Sequence, residues 1–164
     1  MSGCEDDVEN DKLATYLQTT YPDLCVHCKV ASDTVGSIMT ASSSGGIVLI
    51  AGTGSNSLYF QPQTGDSVRC GGWGHMIGDY GSAYWIANRA IRYVVEHDEG
   101  FVPLPVSTEA VRTVIFEHFG IDNIMGLLTP LYSKFDKTHF AHLCAKIAER
   151  ELDFRFVGWT CLNL

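Results

Sequence analysis

Apolar and polar positions along this chain follow two periods. Val8, Leu13, Tyr16 and Leu17 recur near helical spacing and predict an amphipathic helix over residues 8–19, closed by Pro22. Residues 25–32 read as a strand leading to Asp33, residues 34–41 are small and mixed, and residues 42–46 (Ser-Ser-Ser-Gly-Gly) read as a loop. The unbroken apolar run Ile47-Val48-Leu49-Ile50-Ala51 predicts a strand over 46–51 that is buried on both faces. Residues 57–61 and 67–70 predict two more strands around the turn Gln61-Pro-Gln-Thr-Gly-Asp66.

The second half of the chain changes to a helical period. Ala83, Ile86, Ala87, Ala90, Ile91, Val94 and Val95 form the apolar stripe of a helix over 82–97, with Asp79 and Ser82 as candidate caps and Gly100 as its stop. Three further helices follow. They are 108–119 ending at Gly120, 121–132 kinked at Pro130, and 138–151 with Phe140, Leu143, Cys144, Ile147 and Ala148 on one face. No internal repeat or low-complexity segment interrupts the pattern.

With 164 residues, 46% hydrophobic and 18% charged, the chain can build a core and is not disordered by composition. A net charge of -8 and a pI near 5.0 argue against a nucleic-acid or anionic-membrane surface. No apolar run reaches membrane-spanning length, and the acidic start lacks the features of a secretory signal, so a cytoplasmic location is expected. The six cysteines are expected to be reduced there. Cys25 and Cys28 form a C-x-x-C pair around a histidine, but no second pair follows to complete a zinc site, so no metal site is expected.

The candidate chemistry lies between Gly45 and Ser82. Gly52-Thr53-Gly54-Ser55-Asn56 directly follows the apolar strand. No lysine completes a P-loop, and the dinucleotide fingerprint lacks its third glycine. Leu58-Tyr59-Phe60 favours a strand after the turn, so strand–turn–strand is a hairpin. Its turn would offer phosphate the amides of Thr53, Gly54 and Ser55 and the Thr53 hydroxyl, without a helix dipole. The competing reading is a turn whose Gly and Asn serve conformation alone. Asp33, at a strand end near Gly36, is placed for a general base or for helix capping. The stretch from Gly71 to Ser82 packs five glycines around Trp73 and His75 before Ser82, which suits a loop held against a ligand. Asp79 can accept from sugar hydroxyls or cap the next helix. His75 and Trp73 can each serve a ligand or only the packing.

These motifs resemble the eukaryotic N-acetylglucosamine kinases. The likeness is carried by Asp33-x-x-Gly-Ser, by residues 45–56 (GGIVLIAGTGSN), by residues 70–87 (CGGWGHMIGDYGSAYWIA), and by Leu131–Lys137, Phe140-Ala141 and Lys146–Glu149. The glycine pieces alone also fit relatives in the same broad ATPase family, such as activators of hydroxyglutaryl-CoA dehydratase. The resemblance implies an α/β actin-like (ribonuclease H-like) sugar-kinase fold. It also implies transfer of the ATP γ-phosphate, with Mg²⁺, to the 6-hydroxyl of N-acetyl-D-glucosamine, and homodimers in the full-length family. Carried over by motif, Asp33 is the sugar-binding catalytic base. Gly52, Thr53 and Gly54 bind ATP phosphate, and Ser55, Asn56, Gly72, Trp73, Gly74 and Asp79 line the sugar site.

The chain departs from that family at both ends. The family's first Gly-Gly-Thr phosphate loop is missing, and residues 150–164 stop matching. A fragment is therefore expected, with residues 1–41 as the end of a first domain and 42–164 as the first part of a second. Such a chain would have little activity alone. The alternative is a non-catalytic fragment that binds sugar or pairs with other subunits.

Overall fold

A computed structural model describes residues 6–24, 27–101 and 107–150. The order of elements is α1 (Asp7–Thr20), α2 (Asp33–Ala41), β1 (Gly46–Ala51), β2 (Ser55–Gln61), β3 (Asp66–Gly71), α3 (Ala83–Asp98), α4 (Glu109–Phe119) and α5 (Lys137–Glu149). Short 3-10 and π turns, Ile124–Leu127 and Thr129–Ser133, lie between α4 and α5. This is an α/β arrangement whose three strands form one antiparallel sheet in the order β1-β2-β3.

The chain divides into two compact units. The first comprises, among the described residues, 6–24, 27–49 and 57–70, and so contains α1, α2 and most of the sheet. Asp6 caps α1 by accepting from the Val8 and Glu9 amides. The helix buries the stripe of Asn10 and Ala14, flanked by half-buried Leu13 and Leu17. Val8 and Tyr16, which the sequence pattern counts in the apolar face, are exposed. They lie off the i, i+3, i+4, i+7 line that Asn10, Leu13, Ala14 and Leu17 follow.

Two expectations fail in this unit, and residues 34–41, which the pattern left without an element, gain one. The described part of the expected 25–32 strand, residues 27–32, is not in a sheet. A strand needs a neighbouring ladder for its backbone groups, and the one sheet among the described residues is β1-β2-β3. Residues 33–41 form a helix, capped by Ser32, whose Oγ accepts from the Val35 amide. Finally, β1 is not buried on both faces: Ile47 is 71% exposed and Leu49 79%. It is an edge strand, and its apolar run exceeds the cover that the described residues provide.

The second unit comprises, among the described residues, 50–56, 71–101 and 107–150. Its core is a layer of three helices. Ala87, Ala90, Ile91 and Val94 of α3 meet Val111, Val114 and Ile115 of α4 and Phe140, Leu143 and Ile147 of α5. Ser82 caps α3 through its Oγ, which accepts from the Trp85 amide at 3.2 Å. Gly120 ends α4 in the left-handed conformation at φ 63°. The expected helix over 121–132 is instead two short turns. Pro130 has no N–H to return to a carbonyl one turn earlier, and the Lys134 amide reaches back to the Thr129 carbonyl in the wider i→i+5 pattern. Cys25 and residues 151–164 lie outside the described residues, and Cys28 is a half-buried free thiol.

Candidate active site

The second unit brings the two glycine clusters together. The β1–β2 turn closes on itself, with the Gly52 amide donating to the Gly54 carbonyl at 2.9 Å. The Ala83 amide, first in α3, donates to the Gly52 carbonyl at 2.8 Å. The turn therefore sits against the N-terminus of a 16-residue helix, whose dipole favours negative charge there, while the Ala83, Trp85 and Ile86 amides already have partners. This corrects the expectation of a turn without a helix dipole. No local signal links residue 52 to residue 83.

Asp79 is the hub of the arrangement. It is 4% exposed and has a positive φ of 59°, the one non-glycine position so placed among the described residues. Asp tolerates that region better than most side chains do. Its Oδ1 accepts from the Ser55 amide at 3.0 Å, and its Oδ2 stands 2.7 Å from Lys137 Nζ, outside hydrogen-bonding geometry. The Ser55 hydroxyl donates to the Tyr80 carbonyl at 2.8 Å, and the Gly72 amide donates to the Ser55 carbonyl at 3.1 Å. Ser55 is thus tied on three sides to the glycine-rich loop. Of the turn amides proposed for phosphate, that of Ser55 is already taken by Asp79.

The remaining residues of the candidate set fall into place around this hub. Thr53 stands half-buried in the turn between Gly52 and Gly54. Asn56 follows Ser55 on β2, and its Oδ1 is buried without a hydrogen-bond partner among the described residues. An unmet buried acceptor costs on the order of 1–3 kcal/mol, which a donor from a ligand would recover. Gly72 and Gly74 take positive φ of 72° and 79°, which lets the loop double back, and Trp73 between them is 71% exposed. His75 stacks on Phe135 with ring centroids 4.9 Å apart and meets the edge of Tyr84 at 5.0 Å, so it belongs to an aromatic cluster. Burial raises the Tyr84 hydroxyl above its ordinary value, keeping it neutral.

Asp33 belongs to the other unit. It is exposed in the first turn of α2, and its Oδ1 accepts from the Thr34 amide at 2.9 Å. Ser32, one position earlier, is the helix cap, a role the sequence left open for Asp33.

Lys137 is the residue that the sequence did not single out. It opens α5, after Asp136 caps that helix by accepting from the Thr138 and His139 amides. Only its place in the Leu131–Lys137 motif marked it. Among the described residues no group of three or more His, Cys, Asp or Glu side chains could hold a metal ion, and no helix is long and apolar enough to cross a membrane.

The chain is similar to several known proteins. Over 66 residues the chain is 41% identical to N-acetyl-D-glucosamine kinase of Dictyostelium discoideum, covering 40% of this chain and 20% of that protein. Over 47 residues it is 53% identical to N-acetylmuramic acid/N-acetylglucosamine kinase of Clostridium acetobutylicum, covering 29% of this chain and 15% of the relative. Two solved structures, provisionally assigned as N-acetylglucosamine kinases, share the fold. The Chromobacterium violaceum protein aligns at a TM-score of 0.62 and 21% identity over 94% of this chain. The Porphyromonas gingivalis protein aligns at 0.63 and 23% over 97%. The chain spans 54% of each of those structures and a fifth or less of the curated relatives. The model of the BadF/BadG/BcrA/BcrD ATPase family matches residues 8–156, and this chain belongs to that family.

Proposed function

We propose that this chain is part of an ATP-dependent N-acetylglucosamine kinase, a phosphotransferase acting on the 6-hydroxyl of N-acetyl-D-glucosamine. The observation that carries the reading is the convergence of the Gly52–Gly54 turn, the N-terminus of α3 and the Asp79 loop in one unit. Phosphoryl transfer needs a positively biased cradle for phosphate beside a polar site for the acceptor sugar. The turn against α3 supplies the first, through Gly52, Thr53 and Gly54. Asn56 Oδ1 and the Gly72-Trp73-Gly74 segment supply the second, with Asp79 holding their edge through Ser55, and the exposed Trp73 face suits a sugar ring.

Asp33 is the general base of this reading. It takes the proton of the 6-hydroxyl as that oxygen attacks the γ-phosphate. ATP enters as its Mg²⁺ complex, in which the metal offsets phosphate charge. The chain works in the cytoplasm. It comprises the end of a first kinase domain, residues 1–41, and the start of a second, residues 42–164. Because it spans about half of the related structures, turnover by the isolated chain is expected to be low.

The test is calorimetric titration with N-acetyl-D-glucosamine and MgATP, alongside a coupled assay for ADP release. Saturable sugar binding with little turnover supports the reading, and absence of sugar binding overturns it. A second reading, a subunit-pairing fragment, is favoured by the exposed apolar strand positions Ile47, Leu49 and Val68.

A further inference from the structure

We infer that Lys137 is a positioning residue. Its ammonium holds the Asp79 carboxylate in the one orientation that pins the β1–β2 turn, and through that carboxylate it sets affinity for the sugar. The second clause rests on the function proposed above, whereas the first does not.

The argument begins with the cost of the arrangement. Asp79 is almost fully buried, and its backbone is held left-handed. A carboxylate taken from water needs a compensating charge and hydrogen bonds, or it is expelled. The Ser55 amide meets Oδ1, and the Lys137 ammonium, 2.7 Å away, faces Oδ2. No other cation is paired with Asp79 among the described residues.

Geometry rules out a casual surface contact. Lys137 lies in the first turn of α5 and is only about a third exposed. Its Nζ comes so close to the turn that a Cβ on Gly54 would stand 3.0 Å from it and 2.8 Å from Asp79 Oδ1. The turn, the carboxylate and the ammonium therefore form one packed contact, in which Gly54 is the residue small enough to fit. A first-turn lysine opposes the dipole of its own helix, so α5 gains nothing from it locally. Its value lies in the long-range pair.

The same pair orders the sugar side. Asn56 directly follows Ser55, so a shift of the Ser55 amide moves the unpartnered Asn56 Oδ1 as well. Lys137 acts at one remove: it fixes Asp79, Asp79 fixes Ser55, and Ser55 fixes the edge of the site.

The experiment compares wild type, Lys137→Met and Lys137→Arg in the whole chain. It reads amide hydrogen exchange at Ser55 against Ile91 and Val94 in the α3 core, and N-acetyl-D-glucosamine affinity by calorimetry. Lys137→Met should speed Ser55 exchange on the order of tenfold or more relative to the α3 amides, as expected when a charge-assisted contact opens locally. Lys137→Arg, which keeps the charge, should restore most of the protection. Unchanged Ser55 protection in Lys137→Met overturns the role, as does equal loss at Ser55 and in α3 in both variants. Sugar affinity should fall by a similar factor in the Met variant alone. If wild type binds no sugar while Ser55 exchange behaves as stated, the functional reading fails and the positioning role stands.

Discussion

The Cβ that Gly54 lacks would sit 2.8 Å from Oδ1 of Asp79, closer than side-chain carbons approach such an atom. The glycine therefore makes room for a buried carboxylate at the turn. Gly54→Ala should push Asp79 off the Ser55 amide and lower stability by about 1–3 kcal/mol, the usual cost of overpacking. Urea unfolding measures it. Gly65→Ala, on the β2–β3 turn, is the control. It carries strain at φ 77° but meets no neighbour within 4 Å, so its loss should be smaller.

Asp33 should separate catalysis from folding. Its side chain is exposed, and its one observed bond is to the adjacent Thr34 amide. In a chain that turns over, Asp33→Asn should cut phosphoryl transfer by about 10²–10⁴-fold, the usual contribution of a general base. Its thermal unfolding should match wild type. A fall in both together would mark Asp33 as structural.

The caps of the helical unit should be individually costly. Ser82 is fully buried, and its Oγ accepts from the Trp85 amide. Ser82→Ala should cost about 1 kcal/mol, as loss of an N-cap does, with Ser82→Gly costing less. Denaturant midpoints at unchanged slope would check both.

His118 predicts a pH dependence. It stacks on His139 with ring centroids 4.3 Å apart, and its Nε2 lies 2.9 Å from the His139 carbonyl oxygen. Burial lowers its pKa below 6.5, the His139 carbonyl partly opposes this, and His139, His142 and Lys146 add repulsion. Glu117 and Arg150, paired with each other, border the same groove between α4 and α5. With the folded value depressed, the unfolded chain takes up its proton first as pH falls through 6.5. This contribution therefore holds above 6.5 and is lost as pH drops towards the folded value. Urea unfolding of wild type and His118→Gln across that range should give a shallower pH slope for the variant.

The exposed strand β1 should drive association. Ile47 and Leu49 are large, apolar and mostly uncovered on an edge strand. Leu49→Lys should leave the helical unit folded and reduce concentration-dependent self-association in sedimentation runs. Unchanged association would place the contact elsewhere.

Much of this molecule was legible locally. The stripe of α3, that of α5 apart from the exposed Ala148, the Gly120 stop and Ser82 as one of two candidate caps were readable because helical period and capping depend on residues a few positions apart. The hairpins were readable from Gly-rich turns between short apolar runs. Helix α2 was not, because Gly36 and mixed small residues leave it without a distinct stripe, and its helical state follows instead from the Ser32 cap and the burial of Thr34 and Ile38.

Sequence by itself determined the alternation of elements, the glycine clusters and the family they point to. Tertiary structure alone decided that the apolar face of β1 is uncovered, that the β1–β2 turn rests on the start of α3, and that Asp79 spends its carboxylate on Ser55 and Lys137. The reason is physical. Propensity and capping act over one or two turns of chain, whereas burial and charge pairing depend on which distant segments meet, and no local pattern encodes that.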